Sequence, residues 1–191
     1  MCRKILLRHA LTATALAATA TGAIALAAEP AFAIGPATVT KSGTVLTLTA
    51  SPGTQDTIRI HEGATTFSMR DLSGLRAGGG SGCVGTGAGT SDLVCSKAGI
   101  SRVVVNAGDF DDTIGIGAPA ASTVTYEAFG GAGNDAFALN TPHSIQHGGA
   151  GNDVLANTSF QFPATLDGGT DTDRCARGTT RDVLSSCEIV P

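Results

Sequence analysis

Tryptophan is absent from this sequence, tyrosine occurs once, and aromatic residues make up 4% of the 191 residues. A broad core assembled around aromatic rings is therefore excluded. The interior must be thin and filled by Val, Ile, Leu, Ala and Phe. Cations are missing over a long stretch: no Lys or Arg stands between Arg102 and Arg174. Nine acids occupy the same stretch, namely Asp109, Asp111, Asp112, Glu127, Asp135, Asp153, Asp167, Asp171 and Asp173. Such a surface makes nucleic acid a poor partner, and anionic membrane lipid equally so without a bridging metal. The H-E-x-x-H and G-x-S-x-G signatures of metalloproteases and esterases do not occur. GSGCVG at 80–85 fits G-x-G-x-x-G formally. It has no helix after it and carries a cysteine, so a dinucleotide site is rejected.

The first residues read as a segment outside the mature fold. Arg3, Lys4 and Arg8 precede an uncharged run at 10–28, and Ala31-Phe32-Ala33 supplies an A-x-A cleavage pattern. This is a secretory signal over residues 1–33. The run is too weakly apolar for a transmembrane anchor, so no membrane span is expected in the mature chain. The remainder, 34–191, holds 15 Asp and Glu against 9 Lys and Arg, a net charge of −6. It carries four cysteines, Cys83, Cys95, Cys175 and Cys187, each pair separated by eleven residues. In an exported chain these are disulfide partners. Three connectivities are open, and the equal spacing favours Cys83–Cys95 and Cys175–Cys187. Zinc is the rival, but C-x₂-C spacing is missing.

Gly contributes 26 residues, and Gly and Thr are both poor helix formers. Short strands joined by glycine turns fit better. Five segments share one pattern, apolar alternation around a small-residue turn that ends in Asp: 46–60, 103–116, 124–139, 144–156 and 164–176. The aspartates Asp112, Asp135, Asp153 and Asp173 follow one another at steps of 23, 18 and 20 residues. Eighteen residues are enough for two short strands and two turns, which returns the chain to the same edge one level higher, about 4.8 Å away. Residues 117–123 and 157–163 absorb the longer steps. The reading is an all-β fold, a parallel β-roll or β-solenoid over 103–176. A less regular β part or cap occupies 34–102, and 177–191 forms a disulfide-bearing C-terminal cap. His143 and His147 are four apart, but Pro142 and the strand context argue against a helical metal pair; both are read as exposed turn residues.

GGAGNDAFA at 130–138 and GGAGNDVLA at 148–156 match G-G-x-G-x-D-x-U-x, with U a large apolar residue. On these residues the chain resembles the repeats-in-toxin (RTX) family with its haemolysin-type calcium-binding repeats. GGTDTDRCA at 168–176 departs at Asp171, AGDFDDTIG at 107–115 lacks two glycines, and the turn ending at Asp56 is read as an ordinary turn. The resemblance implies calcium held by backbone carbonyls and aspartates of adjacent turns. One site would join Gly130, Ala132 and Asp135 to Gly149, Gly151 and Asp153. A second would join Gly148, Ala150 and Asp153 to Gly169, Asp171 and Asp173, and a third would pair the turn of Asp112 with that of Asp135, which also holds Gly131 and Gly133. Calcium is hard and takes six to eight oxygens, which suits such turns. The expected function is a secreted, non-enzymatic calcium-binding protein whose acidic turns fold or stiffen on the ion outside the cell. The alternatives are an envelope or matrix adhesion protein of unknown partner braced by calcium, and a small carbohydrate-active β-helix enzyme. The lack of cations over 103–173 counts against the enzyme.

Overall fold

The computed structural model describes residues 35–86 and 91–191. The proposed signal at 1–33 lies outside the described residues. Every regular element among the described residues is a strand: β1 (Ala37–Ser42), β2 (Val45–Thr49), β3 (Thr57–Glu62), β4 (Thr66–Asp71), β5 (Leu75–Ala77), β6 (Cys83–Gly85), β7 (Asp92–Ser96), β8 (Arg102–Asp109), β9 (Thr113–Gly117), β10 (Thr125–Ala132), β11 (Ala136–Asn140), β12 (Ser144–Ala150), β13 (Val154–Asn157), β14 (Ala164–Thr170), β15 (Arg174–Ala176) and β16 (Val183–Ser185). No helix long and apolar enough to cross a membrane occurs among them.

The strands form two eight-stranded sheets, ordered β16-β14-β12-β10-β8-β2-β1-β5 and β15-β13-β11-β9-β3-β4-β7-β6. From β8 onward consecutive strands alternate between the sheets, and within each sheet these strands pair in parallel. The parallel pairing also reaches back to β2 and β3, which lie beside β8 and β9. Beyond them the additions are different. β1 folds antiparallel onto β2, while β4, β7 and β6 continue the second sheet antiparallel. The long connections fall at 118–124 and 158–163, where the residue steps require them.

Alternation decides which side chains meet. In the first sheet Leu48, Val105, Ala128, Gln146 and Leu166 lie side by side across the strands; in the second, Ile58, Ile114, Phe137, Leu155 and Cys175 do so. The apolar members of both rows belong to one buried cluster, so the sheets face each other across a single thin core. Cys83 bonds to Cys95 and Cys175 to Cys187, the local pairing expected from spacing. His147 corrects the sequence reading. It sits on β12 and not in a turn, half-buried and stacked on Phe129 at 4.6 Å between ring centroids.

At the end of β3 the core holds one charged group. Glu62 is 2% exposed. Its carboxylate accepts from Ser122 Oγ at 2.5 Å, from the Tyr126 hydroxyl and from the Lys97 ammonium. Burial alone pushes the carboxyl upward, but these bonds outweigh it and hold Glu62 below the ordinary carboxylate range. The group ties the second sheet to the connection before β10 and to the first sheet through Tyr126. Glu62→Ala removes the acceptor and strands a buried hydroxyl. The expected cost is about 3 kcal/mol, checked by urea unfolding followed through the fluorescence of Tyr126, the chain's one tyrosine.

Candidate functional site

The turns that join the sheets along one edge carry the repeated motif, and their backbones are packed closely. Gly108, Gly131, Gly149 and Gly169 stand in register on β8, β10, β12 and β14. All four have positive φ, from 107° to 119°. A Cβ on Gly131, Gly149 or Gly169 would overlap the carbonyl oxygen of the glycine one level before it. The glycines are therefore required twice, for backbone angle and for approach. Two positions after each stands Phe110, Gly133, Gly151 or Asp171, again at positive φ. Phe110 at 72° and Asp171 at 82° hold an angle that glycine adopts without strain.

The aspartates that end these turns form a continuous ladder. Asp56 N–H donates to Asp112 Oδ1 at 2.6 Å, and Asp112 N–H to Asp135 Oδ1 at 2.8 Å. Asp135 N–H donates to Asp153 Oδ1 at 2.7 Å, and Asp153 N–H to Asp173 Oδ1 at 2.8 Å. Glu188 Oε2 closes the series by accepting from Asp173 N–H at 2.8 Å. The preceding residues make a second ladder in the opposite sense. Asp111 Oδ1 accepts from Asn134 N–H, Asn134 Oδ1 from Asn152 N–H, and Asn152 Oδ1 from Thr172 N–H, at 2.7, 2.9 and 3.0 Å. Each Asn-Asp pair thus braces its own turn to both neighbours.

Only one oxygen of each inner carboxylate is used. Asp56 Oδ1 and the Oδ2 atoms of Asp112, Asp135, Asp153 and Asp173 are buried without a hydrogen-bond partner. Their residues are 0–1% exposed. An orphaned buried carboxylate oxygen is costly, and five follow one another here. Three of them pack tightly against a glycine and beside a backbone carbonyl of the following turn. A Cβ on Gly130 would meet Asp135 Oδ2 and the Gly148 carbonyl oxygen. The same arrangement repeats at Gly148 with Asp153 and Gly168, and at Gly168 with Asp173 and Ser186. Among the described residues no group of three His, Cys, Asp or Glu forms a metal cluster; what stands together at each level is one carboxylate oxygen and a carbonyl of the following turn. That donor set consists of hard oxygens and fits a hard cation.

The structure brings most of the residues expected from the sequence to this edge: Gly130, Gly131, Gly133, Asp135, Gly148, Gly149, Gly151, Asp153, Gly169, Asp173 and Asp112. Ala132 and Ala150 pair across the same strands, and the Ala150 carbonyl already accepts the Gly133 amide at 2.9 Å. Asp171 stands apart from the inner ladder. It is exposed, and its Oδ2 accepts the Gly151 amide at 3.2 Å. Asp56, read from sequence as an ordinary turn, belongs to the ladder. Its turn lacks the glycine motif, and Asp109 reaches across to accept from the Gly53 amide at 2.8 Å. Glu188 and Asp71, whose carboxyl interacts with that of Asp56, carried no motif.

Burial raises the inner carboxyls, with neighbouring carboxylates adding to the shift against the backbone amides that lower it. Asp112 is pushed up to about 7 and Asp135 and Asp153 to about 6; Asp173 is raised for the same reason. A folded value raised above the unfolded one, about 3.9, gives stability that is full below pH 4 and lost as pH rises toward 7. With divalent cations chelated, thermal unfolding is therefore expected at a higher temperature at pH 5 than at pH 8. The backbone contacts yield a second expectation. Gly148→Ala places a methyl on Asp153 Oδ2 and the Gly168 carbonyl, whereas a Cβ at Gly79 meets nothing within 4 Å. Calorimetry should show a drop of about 4–8 °C or more for Gly148→Ala, from a cost above about 2 kcal/mol, and little change for Gly79→Ala.

Comparison with known proteins returns no match: no family model fits the chain, and no curated protein or solved structure is significantly similar to it.

Proposed function

We propose that this is a secreted calcium-binding protein whose Gly- and Asp-rich turns hold calcium between adjacent coils of a parallel β-roll. The observation that carries the reading is the file of buried carboxylate oxygens without partners, at Asp112, Asp135, Asp153 and Asp173 and at Asp56, three of them beside a backbone carbonyl of the following turn. The alternation of strands between two sheets supports the coil, since 18 residues separate Asp135 from Asp153 and the two turns stand in register. The RTX-like consensus at 130–138 and 148–156 supports the choice of calcium.

In this reading Asp135 and Asp153 are the central ligands, with carbonyls of Gly130, Ala132, Gly149 and Gly151 completing the first site. Asp153 and Asp173 serve the next, with Gly148, Ala150, Gly169 and Asp171, and Asp112 a further one. Calcium supplies positive charge to carboxylates that otherwise repel or take up protons. Export fits the signal-like start and the two disulfides, which are compatible with an oxidising compartment. Low calcium inside the cell leaves the acidic turns repelled, and millimolar calcium outside neutralises them, so that binding and stiffening are one event.

The test is calorimetric titration of the chelated protein with calcium and then with magnesium. The expected result is calcium affinity on the order of 10⁻⁴–10⁻³ M, typical of extracellular modules, with a rise in unfolding temperature and a weaker response to magnesium. Asp135→Asn/Asp153→Asn keeps the Oδ1 acceptor of each ladder bond and removes the charge; calcium binding is expected to fall at least tenfold. A protein equally stable with and without calcium, and taking up none, overturns the reading.

A further inference from the structure

The outer face of the second sheet carries a feature unrelated to the aspartate edge. Strands β9, β3, β4 and β7 are consecutive neighbours there, and a trough of about 630 Å³ runs across them. Strand register arranges its lining in two rows. Gly115, Arg59, Arg70 and Asp92 are directly opposite one another in the first; Gly117, His61, Ser68 and Val94 are so in the second. Glycines on β9, with Ala138 beside Gly115 on β11, make the floor low on one side, while longer side chains stand on the other.

The charges in the first row are unusual. Arg59 and Arg70 face each other across an antiparallel pair, and like charges so placed repel. Arg70 is answered by Asp92, which accepts from Nε at 2.6 Å and from Nη2 at 2.9 Å. Arg59 has no ion pair among the described residues. Its guanidinium lies over Gly115, with Nη1 3.2 Å from where a Cβ would stand. An exposed arginine held over a glycine floor presents a planar fork suited to a carboxylate. Asp92 at the far end of the row repels a second negative charge, which disfavours a dianion. Ser68 and His61, one row along and so about 7 Å away along the strands, offer hydrogen-bonding groups.

We propose that this trough binds an acidic saccharide unit, its single carboxylate on Arg59 and its hydroxyls toward Ser68, His61 and Asp92. The site is independent of the aspartate ladder, which lies along an edge of the sheets and not on this face.

The experiment is an amide-resolved NMR titration of the protein in millimolar calcium with three probes: methyl β-glucuronide, the neutral methyl β-glucoside and inorganic sulfate. The glucuronide is expected to shift amides of β3, β4 and β9 with a dissociation constant on the order of 1 mM; the other two should bind at least tenfold more weakly. Arg59→Gln should weaken the glucuronide about tenfold or more, through loss of charge-assisted bonds. Gly115→Val is the second variant. Gly115 lies in a strand without positive φ, and the close neighbour of its Cβ is the flexible end of Arg59, so the fold tolerates the change while the trough is filled. Loss of binding in both variants, with unchanged unfolding temperature, supports the site. Absence of glucuronide shifts, equal response to sulfate, or binding unaffected by either substitution overturns it.

Discussion

The interaction on which the rest of this structure depends is the bond from one aspartate's backbone amide to the next aspartate's carboxylate. It repeats from Asp56 through Asp112, Asp135 and Asp153 to Asp173. A turn is the place where a parallel sheet loses its regular hydrogen bonds, and its amides need partners elsewhere. Here the partner is always the neighbouring turn. Bringing a carboxylate that close requires the backbones to touch, and the column Gly131, Gly149 and Gly169 is the consequence, since any side chain there collides with the preceding carbonyl. Glycine, asparagine and aspartate are thus one device: close approach, brace in one direction, brace in the other.

The device operates along one edge, which explains why the residue step can vary. From Asp112 to Asp173 the turns locked by Asp-to-amide bonds keep a constant three residues between strands, and only the turn ending at Asp56 is longer. At the opposite edge the connections at 118–124 and 158–163 are longer, and nothing there repeats. The ends of the stack need separate solutions, because the last parallel strand leaves amides and carbonyls exposed. At one end the antiparallel strands β1, β4 and β7 take up those groups. At the other, Glu188 substitutes for the missing next aspartate and Cys175–Cys187 holds its segment against β15.

Much of this was legible in the residues. The alternation and the spacing of the aspartates located the strand-turn-strand units, and equal cysteine spacing located both disulfides. The glycines of 130–133 and 148–151 marked the close contacts. What escaped has a physical explanation in each case. Asp56 stands after SPGTQ rather than a glycine run, and in its turn Asp109 accepts from the Gly53 amide. Asn134 and Asn152 read as turn formers, and their bonding to the neighbouring turn depends on register, which composition does not encode. Glu188 acts at a place in space that only the chain's return creates. The rows on the outer sheet face, with Arg59 opposite Arg70, combine strands from distant parts of the chain, so no local pattern announces them.

The cost of the ladder falls on the second carboxylate oxygen. Each inner aspartate uses one oxygen for structure and buries the other, and the acids of successive levels raise one another: Asp153 feels both Asp135 and Asp173, and Asp112 feels Asp135 and Asp56. Their titration is therefore a property of the file and not of a single residue. A proton or a cation at one level relieves its neighbours, since the repulsion it removes was shared. Amide bonds and carboxylate charges also occupy the same atoms, so neutralising a level leaves its brace in place while removing the force that opposes it. Whatever neutralises that edge therefore acts on the whole file and not on a single turn. The glycine floor beneath Arg59 belongs to a sheet face outside that series, and charge there is answered separately.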